Sequence, residues 1–156
     1  MAAKALRIAR NLEGEETDLK FLEEAAMHHD IGVCRTAFPE IGGRGGEPYI
    51  RHGLIGREIL EKEGFPRHAL VCERHIGVGI TVEDVISQGL PLPARDMVPF
   101  SLEERIVCFA DLFYSKKPGR IGDEKSIAGI RSGLARFGEQ KVKILDKWIM
   151  EFEQPD

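Results

Sequence analysis

Long apolar runs are missing from this 156-residue chain: no stretch approaches the roughly 18 residues that span a bilayer, which describes a protein working in water, away from a membrane. Positive charge is not in excess either. Lys and Arg number 22 against 26 Asp and Glu, giving a formal net charge of −4 and a pI near 5.8. That balance excludes a broad basic face, and with it duplex nucleic acid held by phosphate contacts, while a small anionic substrate in a local basic pocket stays open. Cysteine is scarce. Cys34, Cys72 and Cys108 form neither an even disulfide set nor a CxxC pair, and no signal-peptide pattern precedes them, so a reducing cytoplasm is expected. Period-2 alternation and internal repeats are also lacking. What is present is ordinary globular material, 42% hydrophobic and 31% charged, at a length that suits one domain over residues 1–156.

Helical periodicity fills most of that length. Ala5, Leu6, Ile8, Ala9 and Leu12 make a first stripe, broken by Gly14-Glu15-Glu16; Thr17 or Asp18 can cap a second helix that runs to His29/Asp30. The segment from Val33 to Tyr49 is irregular and glycine-rich, of a length that is functional or disordered in most compact domains. A third helix is expected over Ile50 to Glu63, ended by Gly64, and Pro66 opens a fourth that reaches His75. Thr81 with Asp84, and Ser101 with Glu104, resemble capping boxes. They start a short helix to Gln88 and a strong one ending near Lys116/Lys117 before Pro118. Two more helices, Glu124 to Phe137 and Glu139 to Phe152, complete an all-α fold.

The second helix ends unusually. Its stripe of Leu22, Ala25 and Ala26 finishes on His29, Asp30 follows Ala26 by four residues, and Gly32 is read as the left-handed residue that stops the helix. Other ionisable residues also sit on apolar stripes: His52 precedes Ile55 and Ile59, His75 follows Val71 by four, and Asp111 follows Val107 by four. Each alone is explained as a satisfied core residue. Together, three imidazoles and two carboxylates aimed at one interior are hard to satisfy without a cation. Mixed imidazole and carboxylate donors suit Mn, Fe, Co, Ni, Zn or Mg, one or two ions, and not a thiolate metal.

The ordered set His29-Asp30-Ile31-Gly32, Arg51-His52-Gly53, Arg74-His75 and Ala110-Asp111 resembles the HD superfamily of metal-dependent phosphohydrolases, in particular its small HDIG-type members. The resemblance covers nearly the whole chain. It implies an HD-type helical bundle in which His29, Asp30 and Asp111 hold a first divalent ion, while His52 and His75 hold a second one bridged by Asp30, the catalytic carboxylate. The chain departs from the family pattern at Val33, where a Lys or Arg often stands. It also has no histidine before His28, whereas the family's first metal-binding histidine falls a few residues ahead of the position of Met1. A histidine upstream of Met1 is therefore expected to strengthen the first site.

Around this set, Arg44 in the glycine-rich segment is a candidate phosphate contact on a mobile lid, or part of a plain flexible loop. Arg51 and Arg74 are candidate substrate-binding residues, or surface ion-pair partners of Glu47 and Glu73. His28 could complete the site or lie half-exposed, and His68 is read as packing. Lys116/Lys117 complement a helix C-terminus or touch substrate. Trp148, Ile149 and Phe152 are core residues or homodimer contacts. The expected function is hydrolysis of a small phosphate ester, a nucleotide or another phosphomonoester or phosphodiester, by a metal-activated hydroxide. A degenerate HD module that binds a phosphorylated ligand without cleaving it is the alternative.

Overall fold

The computed structural model describes residues 1–12, 16–116, 119 and 122–153. Among them the chain is all-α: α1 (Ala2–Asn11), α2 (Leu19–His28), α3 (His52–Lys62), α4 (Pro66–Arg74), α5 (Val82–Ser87), α6 (Leu102–Leu112), α7 (Ile127–Ala135) and α8 (Glu139–Phe152). Three 3-10 turns, Ile31–Arg35, Pro39–Ile41 and Tyr49–Arg51, join α2 to α3. The only β contacts among the described residues are isolated bridges.

Local chemistry explains most of the boundaries. The Asp18 carboxylate accepts the Phe21 N–H at the start of α2, and Thr81 and Asp84 complete both reciprocal bonds of a capping box on α5. Ser101 caps α6 by accepting the Glu104 N–H at 3.2 Å. Two boundaries differ from the periodicity. α6 stops at Leu112, well before Lys116, because Tyr114 pairs as a bridge with Glu124 and the chain folds back on itself. α7 starts at Ile127 for the same reason: Glu124 is committed to that bridge, and Ser126 caps the helix on the Gly129 N–H. The expected stop signals Lys117 and Pro118 lie outside the described residues, as do Gly14 and Glu15; α1 has already ended at Asn11.

The main core joins α1, α2, α6, α7 and α8 around Leu22, Phe109, Leu145 and Trp148. Trp148 and Phe152 are buried against Phe109 there, and Ile149 packs on the cluster. α3 and α4 form a second layer that meets the first where α2 ends. Glycines set how close the parts of that layer come. A Cβ on Gly32 would lie 2.0 Å from the His52 carbonyl oxygen, one on Gly53 2.7 Å from the Cys72 carbonyl, and one on Gly56 3.0 Å from the Cys72 Cβ. Gly32 is thus not the left-handed residue expected from the sequence; no positive φ occurs there, and its role is close approach. The same holds at two glycines of the segment 33–49, Gly43 and Gly45. Cβ atoms on Gly43 and Gly45 would collide with the backbone of Thr36, Phe38 and Arg35, and the segment is closed by Ala37 N–H to Glu47 O at 2.8 Å and Arg44 N–H to Cys34 O at 3.0 Å. These glycines serve a folded-back turn.

Candidate metal centre

The packing brings the end of α2, the start of α3, the end of α4 and the end of α6 to one place. His29, His52 and His75 are 8%, 3% and 1% exposed, and each sits where a helix begins or ends. That position lets each ring reach the carbonyl three residues back: His29 Nδ1 to Ala26 O at 2.8 Å, His52 Nδ1 to Tyr49 O at 2.7 Å, and His75 Nδ1 to Cys72 O at 2.8 Å. A carbonyl only accepts, so every Nδ1 carries a proton and a neutral ring presents a bare Nε2 lone pair inward.

Those Nε2 atoms converge on Asp30. His52 Nε2 and His75 Nε2 lie 3.4 and 3.3 Å from Asp30 Oδ1 and 3.1 Å from each other. The two imidazole nitrogens are close enough for a hydrogen bond, but with both Nδ1 protons committed to carbonyls neither has one to give. On the other side of the same carboxylate, His29 Nε2 lies 3.3 Å from Asp30 Oδ2 and 3.3 Å from Asp111 Oδ1. Asp30 therefore joins two half-sites, one oxygen to each. The buried His29 Nε2 and Asp30 Oδ1 have no aligned hydrogen-bond partner among the described residues.

Electrostatics separates the halves. Burial, then the neighbouring His75, pushes His52 down to about 3, and burial lowers His75 as well, so both rings are neutral at physiological pH. Burial also pushes on His29, but the Asp111 and Asp30 carboxylates outweigh it and lift the ring to about 9. Asp30 and Asp111 are held well below the usual carboxylate range: burial opposes this, and His29 leads the groups that overcome it. Tyr49, stacked on His52 at 4.6 Å between ring centroids, is pushed up to about 12 by burial and stays a neutral phenol.

The donor set fits a divalent ion. Imidazole and carboxylate ligands about 2.1 Å from one ion, at angles of about 90° to 110°, lie about 3.0 to 3.4 Å apart, the separation found among His52, His75 and Asp30 Oδ1. His29, Asp30 and His75 likewise offer ligand atoms within 4.8 Å of one another. Two cavities open on the cluster. One, of about 490 Å³, is bordered by Phe38, Tyr49, His52, His75 and Asp111; the other, of about 300 Å³, by His29, Asp30, Val33 and Asp111.

The structure places the remaining candidates elsewhere. Arg74 donates to both oxygens of buried Glu104, at 3.0 and 3.1 Å. Arg51 pairs with Glu47 at 2.9 Å and donates to Pro91 O. Arg44 is exposed on the folded-back turn. None of the three borders either cavity. His28 is exposed and bonded to Glu24 O, and His68 meets the Glu24 carboxylate between Phe21 and Phe65. Lys116, read from the sequence chiefly as a helix terminator, instead reaches Asp30 Oδ2 at 2.6 Å and Asp111 Oδ2 at 3.2 Å. Helical spacing hides this, because residues five apart lie about 140° apart around a helix. The end of α6 at Leu112 brings Lys116 back, and only the turn geometry shows it.

The family model for the HD domain matches residues 1–115, and the chain belongs to the HD domain family. It is 41% identical over 123 residues, 78% of its own length and 65% of the relative's, to an uncharacterized protein of Methanocaldococcus jannaschii. It is 38% identical over 95 residues to a tRNA (cytidine(56)-2'-O)-methyltransferase of Picrophilus torridus, and 35% identical over 99 residues to one of Thermoplasma volcanium. Those matches take in 60% and 63% of this chain but only 24% and 25% of the methyltransferases, so the chain spans part of the length of each relative. No solved structure matches it significantly. Among the described residues, no helix is long and apolar enough to cross a membrane.

Proposed function

We propose that the chain is a metal-dependent phosphohydrolase acting on a small phosphate ester, a nucleotide or another phosphomonoester or phosphodiester. One observation carries this reading: His52 Nε2, His75 Nε2 and Asp30 Oδ1 face one another at 3.1 to 3.4 Å while all three histidine Nδ1 protons are given to backbone carbonyls. Three acceptors at that distance repel unless a cation lies among them. His52, His75 and Asp30 would hold one divalent ion, and His29, Asp30 and Asp111 a second. A bound ion supplies a nucleophile at neutral pH and a clamp for phosphoryl oxygens.

The protein's own part is positioning. The Nδ1 bonds fix each ring, and Asp30 ties the two half-sites. The neutral Tyr49 phenol and the Lys116 ammonium border the larger cavity, where they can bind and orient the ester. The test is turnover of p-nitrophenyl phosphate and its bis-ester with Mn²⁺, Ni²⁺, Co²⁺ or Mg²⁺ added to chelator-treated protein. Turnover that needs the metal and disappears in Asp30→Ala supports hydrolysis. Metal and nucleotide binding without turnover of any ester supports the non-catalytic alternative.

The two methyltransferase relatives favour a second reading of the substrate alone, a phosphate ester on an RNA ribose. Phosphorylated oligoribonucleotides turned over faster than the matching mononucleotides would support it; the reverse order would remove it.

A further inference from the structure

The two halves of the cluster are not equivalent. In the half made by His52, His75 and Asp30 Oδ1, three acceptors meet, and Asp30 Oδ1 is buried with no hydrogen-bond partner among the described residues. In the other half a cation is already in place. Lys116 Nζ lies 2.6 Å from Asp30 Oδ2 and 3.2 Å from Asp111 Oδ2, the two carboxylates that also flank His29 Nε2. Lys116 supplies the only Lys or Arg side chain among the described residues bordering the smaller cavity.

The lysine is delivered by built structure. Tyr114 N–H bonds Asp111 O at 3.0 Å, Ser115 N–H bonds Asp123 O at 3.2 Å, and Lys125 N–H bonds Phe113 O at 2.6 Å, so the residues leading into Lys116 are held to α6 and to residues 123–125. Its base is fixed to α1: Lys4, almost fully buried, lies 3.7 Å over the Phe113 ring and pairs with Glu124 at 2.8 Å. The Lys116 side chain is itself 27% exposed, so its ammonium faces the carboxylates from inside the cavity wall.

We infer that Lys116 is the resident cation of the Asp30–Asp111 half-site: the chain takes one divalent ion tightly, between His52, His75 and Asp30 Oδ1, and a second at His29, Asp30 and Asp111 only when Lys116 withdraws. This rests on reading the cluster as a metal centre. The physical reason is like-charge exclusion. A divalent ion bound to the carboxylate oxygens that Lys116 already contacts would stand beside an ammonium in a partly buried site, where screening is weak. Lys116 also borders the larger cavity, so the withdrawn side chain has somewhere to go, toward Tyr49 and a bound phosphate. With one ion in place, the ammonium carries the second positive charge that a phosphoryl group would meet.

The test uses metal alone. Mn²⁺ binding by the full chain is followed by calorimetry and electron paramagnetic resonance for the wild type, Lys116→Met and Lys116→Arg, with circular dichroism to confirm folding. The wild type is expected to bind one ion tightly with the six-line spectrum of an isolated Mn²⁺. Lys116→Met should bind a second ion at least tenfold more tightly than the wild type does and show spin coupling between the two. Lys116→Arg, which keeps the charge, should stay with the wild type, and His75→Ala should lose the tight ion in either background. Equal second-ion affinity in the wild type and Lys116→Met, or two tight ions in the wild type, overturns the role of Lys116 and leaves the metal centre standing. No ion held by any of these proteins overturns the metal centre and this inference with it.

Discussion

The protons on three imidazole rings decide how the cluster responds to pH. In metal-free protein His52 has a folded value of about 3 against 6.5 when unfolded, so between those values the unfolded chain binds a proton that the folded one refuses. Stability is then lost as pH falls below 6.5, and the lowered His75 acts in the same direction. His29 runs the other way. Its value is raised from 6.5 to about 9, so its pairing with Asp111 and Asp30 contributes fully below pH 6.5 and is lost as pH rises toward and through 9. Asp30 and Asp111, held low, give way only at more acid pH. In chelator, the melting temperature should therefore peak near pH 6.5 and fall on both sides. His52→Gln, which cannot titrate, should flatten the limb between pH 6 and 4; an unchanged acid limb in that variant would show that the ring is not buried neutral. A second prediction concerns the carboxylates. Asp30→Ala should remove all tightly bound metal from a protein that still gives a helical spectrum, because Asp30 serves both half-sites. Metal retained at the wild-type level would sink the ligand assignment.

Among the helices, spacing matters more than propensity. Gly53 faces the Cys72 carbonyl so closely that a Cβ would come to 2.7 Å, and this nearest atom belongs to the backbone, which cannot swing aside as the end of a side chain can. Gly53→Ala must push α3 from α4, and with it His52 from His75, at a cost of about 1–3 kcal/mol in stability and a weaker hold on metal. Gly133→Ala in α7, where no atom lies within 4 Å of the added Cβ, is the control and should be neutral or stabilising by up to about 1 kcal/mol. Metal affinity equal in the two variants would mean that the α3 to α4 distance does not set the site. Much of this architecture was readable beforehand. Asp18, Thr81, Ser101, Pro66 and Gly64 mark their boundaries by side-chain or backbone chemistry that acts within a few residues, and the apolar stripes point His29, His52, His75 and Asp111 inward. The contacts that a stripe cannot carry were not readable. Gly32 reads as a helix stop but is a close-approach residue, because its neighbour His52 lies twenty positions away. The end of α6 depends on a bridge from Tyr114 to Glu124, and that end alone turns Lys116 toward the carboxylates.

Across the whole molecule, the cluster is where two layers meet, joined also by Val71 of α4, which is buried in the main core. α2 and α6 belong to the main core with Leu22, Phe109 and Trp148, whereas α3 and α4 pack through Leu60, Ala69 and Cys72 on the turn after α2. A divalent ion held by Asp30, His52 and His75 would tie the two layers at a place where no disulfide does so; all three cysteines are free thiols. Because the ligand atoms are brought together only on folding, binding must stabilise the folded chain, by about 2.7 kcal/mol at a hundred times the dissociation constant. For a protein of this size, about 2–4 °C per kcal/mol makes that a rise of roughly 5–10 °C in melting temperature on adding Mn²⁺ or Ni²⁺ to chelator-treated protein. Phe109→Ala, a fully buried ring in the main core, should cost about 3–5 kcal/mol and lower the melting temperature with and without metal alike, since a core side chain outside the ligand set acts additively with the site. His75→Ala should do the opposite and cancel the metal-dependent rise. A shift that survives in His75→Ala would place the stabilising ion outside this cluster, and no shift in the wild type would mean that the two layers close without it.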